Sequence, residues 1–415
     1  MQSDIPKTER KIKKHTTIAI LILASALIIL FSEGTSINIG SLFNGRFFTL
    51  VATENIQIFS CAFVVIIAML GLVKIRINDF NDLFWLLLPF ILTILSLFSQ
   101  MIETQKSNNM NVQTIAHVFI MFFLICFIKQ NKIIFYDKIL ANFIVIVGFF
   151  EAILGIFQHV TGNTIFDPQP LNAIYFLNGT SSSNISNLGF GASVRAFGTF
   201  DSGLTLGIFL IFSLAIMLDL SSLNVIFKIV FFITYLIGIY STLTRNVYIG
   251  FVVFILVYVL LTFGIKSLYI KWLYFIVTII SAALFWLTDL LYLLVSVASN
   301  INITTFGTRF IFLKQIMAEI PDTLHFLFGN NITSSNGIPI DNSAITIIAQ
   351  FGLIFAIWVF LLQISIFNST ISNKLKRRSA LGAFLFLFPV MGASNNVVQS
   401  FLIAAALISL FNDPD

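Results

Sequence analysis

Long apolar runs, separated by short polar segments, make up most of the chain. A helix needs about 20 mostly apolar residues to cross the hydrocarbon core of a bilayer, and the runs repeatedly approach that length. They predict membrane spans at residues 17–33, 56–73, 83–101, 112–128, 139–160, 203–219, 224–240, 247–264, 272–289, 343–368, 380–393 and 397–411. The last two runs are short, and one broken helix or a re-entrant hairpin around residues 394–396 would explain them as well. We therefore predict an all-α, polytopic integral membrane protein with about 12 transmembrane helices, forming a single membrane domain over residues 1–415.

The composition supports this class and excludes several others. Hydrophobic residues make up 58% of the chain and charged residues 10%, whereas a soluble globular chain carries about 25% charged residues. This excludes a soluble enzyme, a nucleic-acid-binding protein and a disordered protein. The two cysteines, Cys61 and Cys126, both lie inside apolar runs, so neither a disulfide framework nor a metal cluster is expected.

Basic residues are unevenly distributed between the two predicted sides. With the N-terminus inside, 17 of the 23 Lys and Arg residues lie on the same side as that terminus. Cytoplasmic segments of membrane proteins carry such an excess, so both termini are expected in the cytoplasm. Two segments of the opposite, outer side are long, residues 161–202 and 290–342. Loops longer than about 15 residues are commonly functional, so we expect the functional site on the outer face between them.

Arginine is concentrated on that outer face. Four of the eight arginines, but only two of the 15 lysines, lie there. The planar guanidinium binds phosphate oxygens in a bidentate manner and keeps its charge at any working pH, so this preference suggests a phosphate or diphosphate ligand. The four are Arg46, Arg195, Arg245 and Arg309. The alternative for any one of them is snorkelling to lipid phosphates or pairing with a carboxylate, and that alternative is favoured for Arg46, which lies in no motif.

Arg245 is the most informative of these cations. It lies in the segment TLTRN, residues 242–246, which joins two apolar spans with almost no loop. The charge must therefore lie at the membrane boundary or just within it, where an unpaired charge is costly and is by default a functional hypothesis.

Two polar clusters open predicted helices on the outer side. Asp341 and Asn342 precede Ser343 at the start of one span, and Asp201 precedes Ser202 at the start of another. Such residues accept hydrogen bonds from the free N–H groups of a first helical turn, so helix capping stands beside a chemical role for each.

Glu151 lies inside a predicted span, about two turns from its outer end. A buried glutamate there is either neutral or paired with an inward-facing arginine. Gln158 and His159 follow at seven and eight residues, so the three side chains share one helix face. His325, in the second long loop, is more readily explained as an ordinary loop residue. Because the sequence has no zinc-spaced cluster, nucleophile elbow or phosphate-cradling glycine loop, we expect metal-independent acid–base and electrostatic chemistry without a cofactor.

Several local patterns, in their order along the chain, resemble the O-antigen polymerase and ligase superfamily of lipid-linked glycan transferases. They are RAFGTFD at 195–201, TLTR at 242–245, GTR at 307–309, FGN at 328–330, DNS at 341–343 and QFGL at 350–353. The resemblance covers residues 140–365 approximately.

The resemblance implies a glycosyltransferase of the bacterial inner membrane with a GT-C-like fold. Its donor would be an undecaprenyl-diphosphate-linked oligosaccharide used at the periplasmic face. Carried over by position, Arg195, Arg245 and Arg309 would hold the diphosphate, and their charge would stabilise the leaving group. Asp341 would bind or deprotonate the acceptor hydroxyl. Glu151, Asp201, His325 and Asn342 would be acceptor-site or structural residues, and a chain-length regulator is an implied partner.

The same resemblance distinguishes two activities. Ligase-type members have a histidine before asparagine at the place of Asp341, whereas polymerase-like members more often have aspartate, so we expect a polymerase that joins lipid-linked repeat units. The spaced motif of some polymerases, an arginine followed after ten residues by glycine, is absent after both Arg195 and Arg309. The alternatives are a ligase that transfers glycan to lipid A core or to a protein and, in another class, a lipid-linked oligosaccharide flippase or other transporter. Transporters usually carry repeated halves, which this sequence lacks.

Overall fold

The computed structural model shows a bundle of α-helices with two very short β pairings. The residues that it describes are 137–163, 189–190, 193–200, 202–221, 223–263, 267–283, 320, 322–329, 334–335, 338–339, 343–372 and 378–390, with the single positions 91, 95, 315 and 318. The longer helices are α1 (Asp137–Thr161), α2 (Gly203–Asp219), α3 (Val225–Ser241), α4 (Arg245–Thr262), α5 (Ser267–Ala283) and α8 (Leu353–Ser372). The shorter ones are α6 (Thr323–Phe328), α7 (Ser343–Phe351) and α9 (Ser379–Leu385). Gly189–Phe190 (β1) pairs with Ser193–Val194 (β2), and Ser334–Ser335 (β3) with Ile338–Pro339 (β4), both antiparallel.

The apolar runs of the sequence predicted these helices well. The predicted span 203–219 coincides with α2, and the ends of α1, α3 and α4 lie within two residues of their predicted positions. Helix α5 begins five residues before the predicted residue 272. The predicted spans 17–33, 56–73, 83–101, 112–128 and 397–411 lie outside the described residues, apart from the helical positions 91 and 95.

Two predicted spans were wrong in their extent. The run 343–368 is not one helix, because Gly352 adopts φ +89° and separates α7 from α8. A Cβ at this position would lie 2.2 Å from the carbonyl oxygen of Leu327, so the break makes room for the end of α6. Helix α9 ends at Leu385 instead of residue 393, and turns follow to residue 390.

The outer surface of the bundle is apolar. Phe143, Phe150 and Phe157, spaced by seven on α1, are 57%, 64% and 48% exposed. Glu151 and Gln158 of the same helix face inward. Like α1, the helices α3, α4 and α5 expose many large apolar side chains. Two helices, Ala141–Thr161 and Arg245–Thr262, are long and apolar enough to span a membrane. A water-soluble surface does not carry apolar faces of this extent, so the surface indicates association with a bilayer.

Helix α2 lies at the centre of the described bundle. It is buried continuously from Thr205 to Met217, as expected for a helix that is apolar all round. Helices α1, α3, α4 and α9 pack around it. At its C-terminal end, the carboxylate of Asp219 accepts hydrogen bonds from the N–H groups of Ala380 (3.2 Å) and Leu381 (2.8 Å), which joins α2 to the start of α9. The N-terminal end of α2 lies at the opposite end of the bundle, beside the α3–α4 junction.

Candidate functional site: an arginine pair at one end of the bundle

The α3–α4 junction is a tight three-residue turn. Helix α3 ends at Ser241 and α4 begins at Arg245, as the near absence of a loop predicted. Leu243 adopts the left-handed conformation at φ +47°, and the Thr244 hydroxyl donates to the Thr242 carbonyl at 2.9 Å. Arg245 is exposed and occupies the first position of α4. A helix N-terminus carries partial positive charge and free N–H groups, so an arginine there strengthens a position that already attracts anions.

The segment that carries Arg195 lies directly against this junction. The N–H of Ala196 donates to the carbonyl of Ser241 at 3.0 Å. Gly203, at the start of α2, is packed between the two segments, since a Cβ there would lie 2.9 Å from the Ala196 oxygen and 3.0 Å from the Thr242 oxygen. The motifs at 195–201 and 242–245, which are separate in the sequence, therefore meet at one end of the bundle.

The two arginines influence each other electrostatically. Burial lowers the pKa of Arg195 from its ordinary value, and the positive charge of Arg245 lowers it further. Arginine nevertheless stays protonated at physiological pH. The charges of Arg195 and Arg245 therefore lie near enough to interact, and together they provide positive charge that suits an anion.

Five hydrogen bonds from α1 hold the turn that follows Arg195. The Oε1 of Gln158 accepts from the N–H groups of Phe197 (3.1 Å) and Gly198 (2.8 Å), and its Nε2 donates to the Gly198 carbonyl at 2.9 Å. The Oε2 of Glu151 accepts from the Thr199 N–H at 2.9 Å, and its Oε1 accepts from the Thr199 hydroxyl at 2.7 Å. The two α1 residues thus share a face, as predicted. Of the two alternatives predicted for Glu151, a neutral side chain stays a prediction; in place of an arginine, the partner that the structure gives it is Thr199.

Gly198 is required by this turn for two reasons. Its φ is +60°, a conformation that residues with a side chain rarely adopt. A Cβ there would also lie 2.3 Å from Oε2 of Glu151. The close approach of α1 to the turn therefore depends on the absence of a side chain.

Aromatic residues border the arginine pair. The Tyr248 hydroxyl donates to the Tyr240 carbonyl at 2.6 Å, and the two rings stack with centroids 6.4 Å apart. The His159 ring meets the Tyr240 ring edge-on at 6.2 Å. His159 was predicted to share the helix face of Glu151 and Gln158, but it contacts α3 and makes none of the five hydrogen bonds to the turn.

His325 belongs to a different part of the described chain. It lies in the short helix α6, not in an irregular loop, and is buried. Its Nδ1 lies 2.7 Å from Oδ1 of Asp322, and the same oxygen accepts the His325 N–H at 2.9 Å. These hydrogen bonds hold the pKa of Asp322 below its ordinary value. Helix α6 packs against α7 and α8, so the FGN and QFGL motifs meet where Gly352 approaches Leu327.

Several predicted site residues lie outside the described residues, namely Arg46, Asp201, Arg309, Asp341 and Asn342. The structure nevertheless identifies the N-cap of α2 as Ser202, whose hydroxyl accepts from the Thr205 N–H at 3.3 Å. The N-cap is therefore not Asp201. Among the described residues, no group of three or more His, Cys, Asp or Glu side chains could hold a metal ion.

Sequence reasoning missed the structural roles of Thr199, Gly198 and Asp322. Asp322 had a local signal, because an aspartate three residues before His325 is a common N-cap arrangement. The roles of Gly198 and Thr199 had none, since their partners lie 40 or more residues away.

Comparison with known proteins adds no relative to this picture. The chain matches no protein-family model, no curated protein and no solved structure.

Proposed function

We propose that this chain is a membrane glycosyltransferase that polymerises a bacterial surface polysaccharide of the O-antigen type. It would join undecaprenyl-diphosphate-linked repeat units at the periplasmic face of the inner membrane. About 12 spans, cytoplasmic termini and a chain-length regulator as partner are parts of this proposal.

The observation that carries the proposal is the meeting of Arg195 and Arg245. Two motifs 50 residues apart bring two guanidinium groups to one end of an apolar bundle. One of these groups stands at a helix N-terminus, which adds partial positive charge. A diphosphate between a lipid tail and a sugar suits this arrangement, because its tail would enter the bilayer while its charge meets the arginines at the boundary.

The proposed reaction uses this placement of the arginines. The oxygen of an acceptor sugar hydroxyl attacks the anomeric carbon of the donor, and the bond from that carbon to the diphosphate oxygen breaks. The electron pair of the broken bond leaves with undecaprenyl diphosphate, whose developing charge Arg195, Arg245 and Arg309 would stabilise. The proton of the acceptor hydroxyl passes to a base, for which Asp341 is the candidate.

A lipopolysaccharide gel from a strain that lacks the chain tests the proposal against its alternatives. A polymerase predicts core that carries a single repeat unit, with the ladder of longer chains gone. Bare core with accumulated lipid-linked polymer would identify a ligase instead. Repeat units trapped on the cytoplasmic side would identify a flippase and would contradict the role given to the arginines.

A further inference from the structure

We infer that Glu151 and Gln158 are positioning residues. They hold Arg195 beside Arg245 by fixing the turn that follows Arg195 to α1. The inference rests on the proposed function, because fixing the turn matters for activity only if the arginine pair binds an anion. It assigns Glu151 to this role in place of acceptor binding.

The turn is held unusually completely for an irregular segment. Four main-chain groups are bonded to side chains of a single helix, namely the N–H groups of Phe197, Gly198 and Thr199 and the carbonyl of Gly198. The Phe200 N–H closes the turn on the Phe197 carbonyl at 2.9 Å. The Ala196 N–H binds α3. The residues that follow Arg195 are therefore fixed from two sides, by α1 and by α3.

The segment that carries Arg195 needs to be held firmly, because Arg195 lies near a second cation. Arg195 and Arg245 carry like charges that influence each other, so the distance between them depends on how firmly the segment of Arg195 is held. Five hydrogen bonds from Glu151 and Gln158 hold that segment.

The position of Glu151 inside a membrane-spanning helix supports a functional role for this residue. An ionisable side chain within a membrane-spanning helix is unfavourable and is rarely kept without a purpose. Both of its carboxyl oxygens accept hydrogen bonds from Thr199, so Glu151 is bound to the turn. It has no arginine partner among the described residues. It therefore acts on the arginine pair through the turn.

Two substitutions at one position separate positioning from catalysis. Glu151→Gln can keep both contacts, because an amide oxygen accepts from the Thr199 N–H and the amide nitrogen can donate to the hydroxyl. Glu151→Leu keeps the size and removes both. The probe is geranyl diphosphate, titrated into the purified full-length protein in detergent, with inorganic sulfate at equal ionic strength as the control anion. Binding is followed as the rise in melting temperature that a ligand of the folded state causes.

For the wild-type protein we expect a rise with geranyl diphosphate and little with sulfate. Glu151→Leu should weaken binding about tenfold or more, while Glu151→Gln should stay near the wild type in binding and in glycan polymerisation. Thr199→Val removes only the hydroxyl and replaces the leucine variant in the experiment if that variant does not fold. Its affinity for geranyl diphosphate should fall by a smaller factor than that of Glu151→Leu.

The other outcomes are distinct. If the wild-type protein shows no response to geranyl diphosphate, the anion site fails, and the proposed function and this inference fail together. If the wild-type and leucine or valine variants bind equally, positioning is wrong while the proposed function stands. If Glu151→Gln binds the probe normally but no longer polymerises, Glu151 takes part in the chemistry, and the positioning role is overturned.

Discussion

The hydrogen bonds of Gln158 allow a matched stability experiment. Gln158 and Gln363 are both completely buried within the bundle. Gln158 makes three hydrogen bonds to the turn after Arg195, whereas neither amide atom of Gln363 has a hydrogen-bond partner among the described residues. The same change, glutamine to leucine, therefore removes a network at one position and an unsatisfied amide at the other.

The expected effects differ in sign. Gln158→Leu leaves two N–H groups and one carbonyl buried without their partner, and each such group costs about 1–3 kcal/mol. Allowing for relaxation, we expect the free energy of unfolding to fall by about 3 kcal/mol. That corresponds to a loss of about 3 °C in melting temperature for a chain of this length. Gln363→Leu should leave the melting temperature unchanged or raise it, because replacing an unpaired buried amide by an apolar group removes a desolvation cost.

The assay is thermal unfolding of both purified variants beside the wild-type protein in one detergent. Equal losses in the two leucine variants, or a larger loss for Gln363→Leu, would refute the assignment of the turn's stability to Gln158.

Three further predictions concern other motifs. Gly352→Ala should destabilise the protein by about 2 kcal/mol or more, because φ is +89° and the new Cβ would meet the Leu327 carbonyl; a melting temperature equal to that of the wild type would contradict the break between α7 and α8. Arg309→Lys should reduce polymerisation severely if bidentate diphosphate binding matters, at unchanged protein level in the membrane, and near-normal product would remove that role. Asp341→Asn keeps a side chain that can cap a helix but removes the proposed base, so we expect inactive, folded protein, and full activity would reduce Asp341 to a cap.

The helices of the described bundle could be predicted because hydropathy and length determine them. Helix α2 is buried on every side and reads as one uninterrupted apolar run, so its bounds followed directly. The break at Gly352 could not be predicted in the same way. The apolar pattern continues across that residue, and the reason for the break is a carbonyl from α6, more than 20 residues away.

The charged residues of the candidate site could be predicted from the sequence, but the hydrogen bonds that position them could not. Arg195 and Arg245 were identified because arginine on the outer side of a membrane protein runs against the usual distribution. Their proximity depends on the hydrogen bond between Ala196 and Ser241, which no local pattern encodes. Glu151 was singled out as a charge inside a span, but Thr199 as its partner required the tertiary structure.

The central claim is that the arginine pair holds a lipid diphosphate while one repeat unit is added to another. It is tested most directly by incubating the purified protein in lipid with a polyprenyl-diphosphate-linked repeat unit and separating the products on a gel. We expect a ladder of longer glycans with release of polyprenyl diphosphate from the wild-type protein, and only the starting unit from folded Arg195→Ala/Arg245→Ala protein. A wild-type protein that releases no polyprenyl diphosphate and forms no longer glycan, or a double variant that forms the same ladder, would contradict the account.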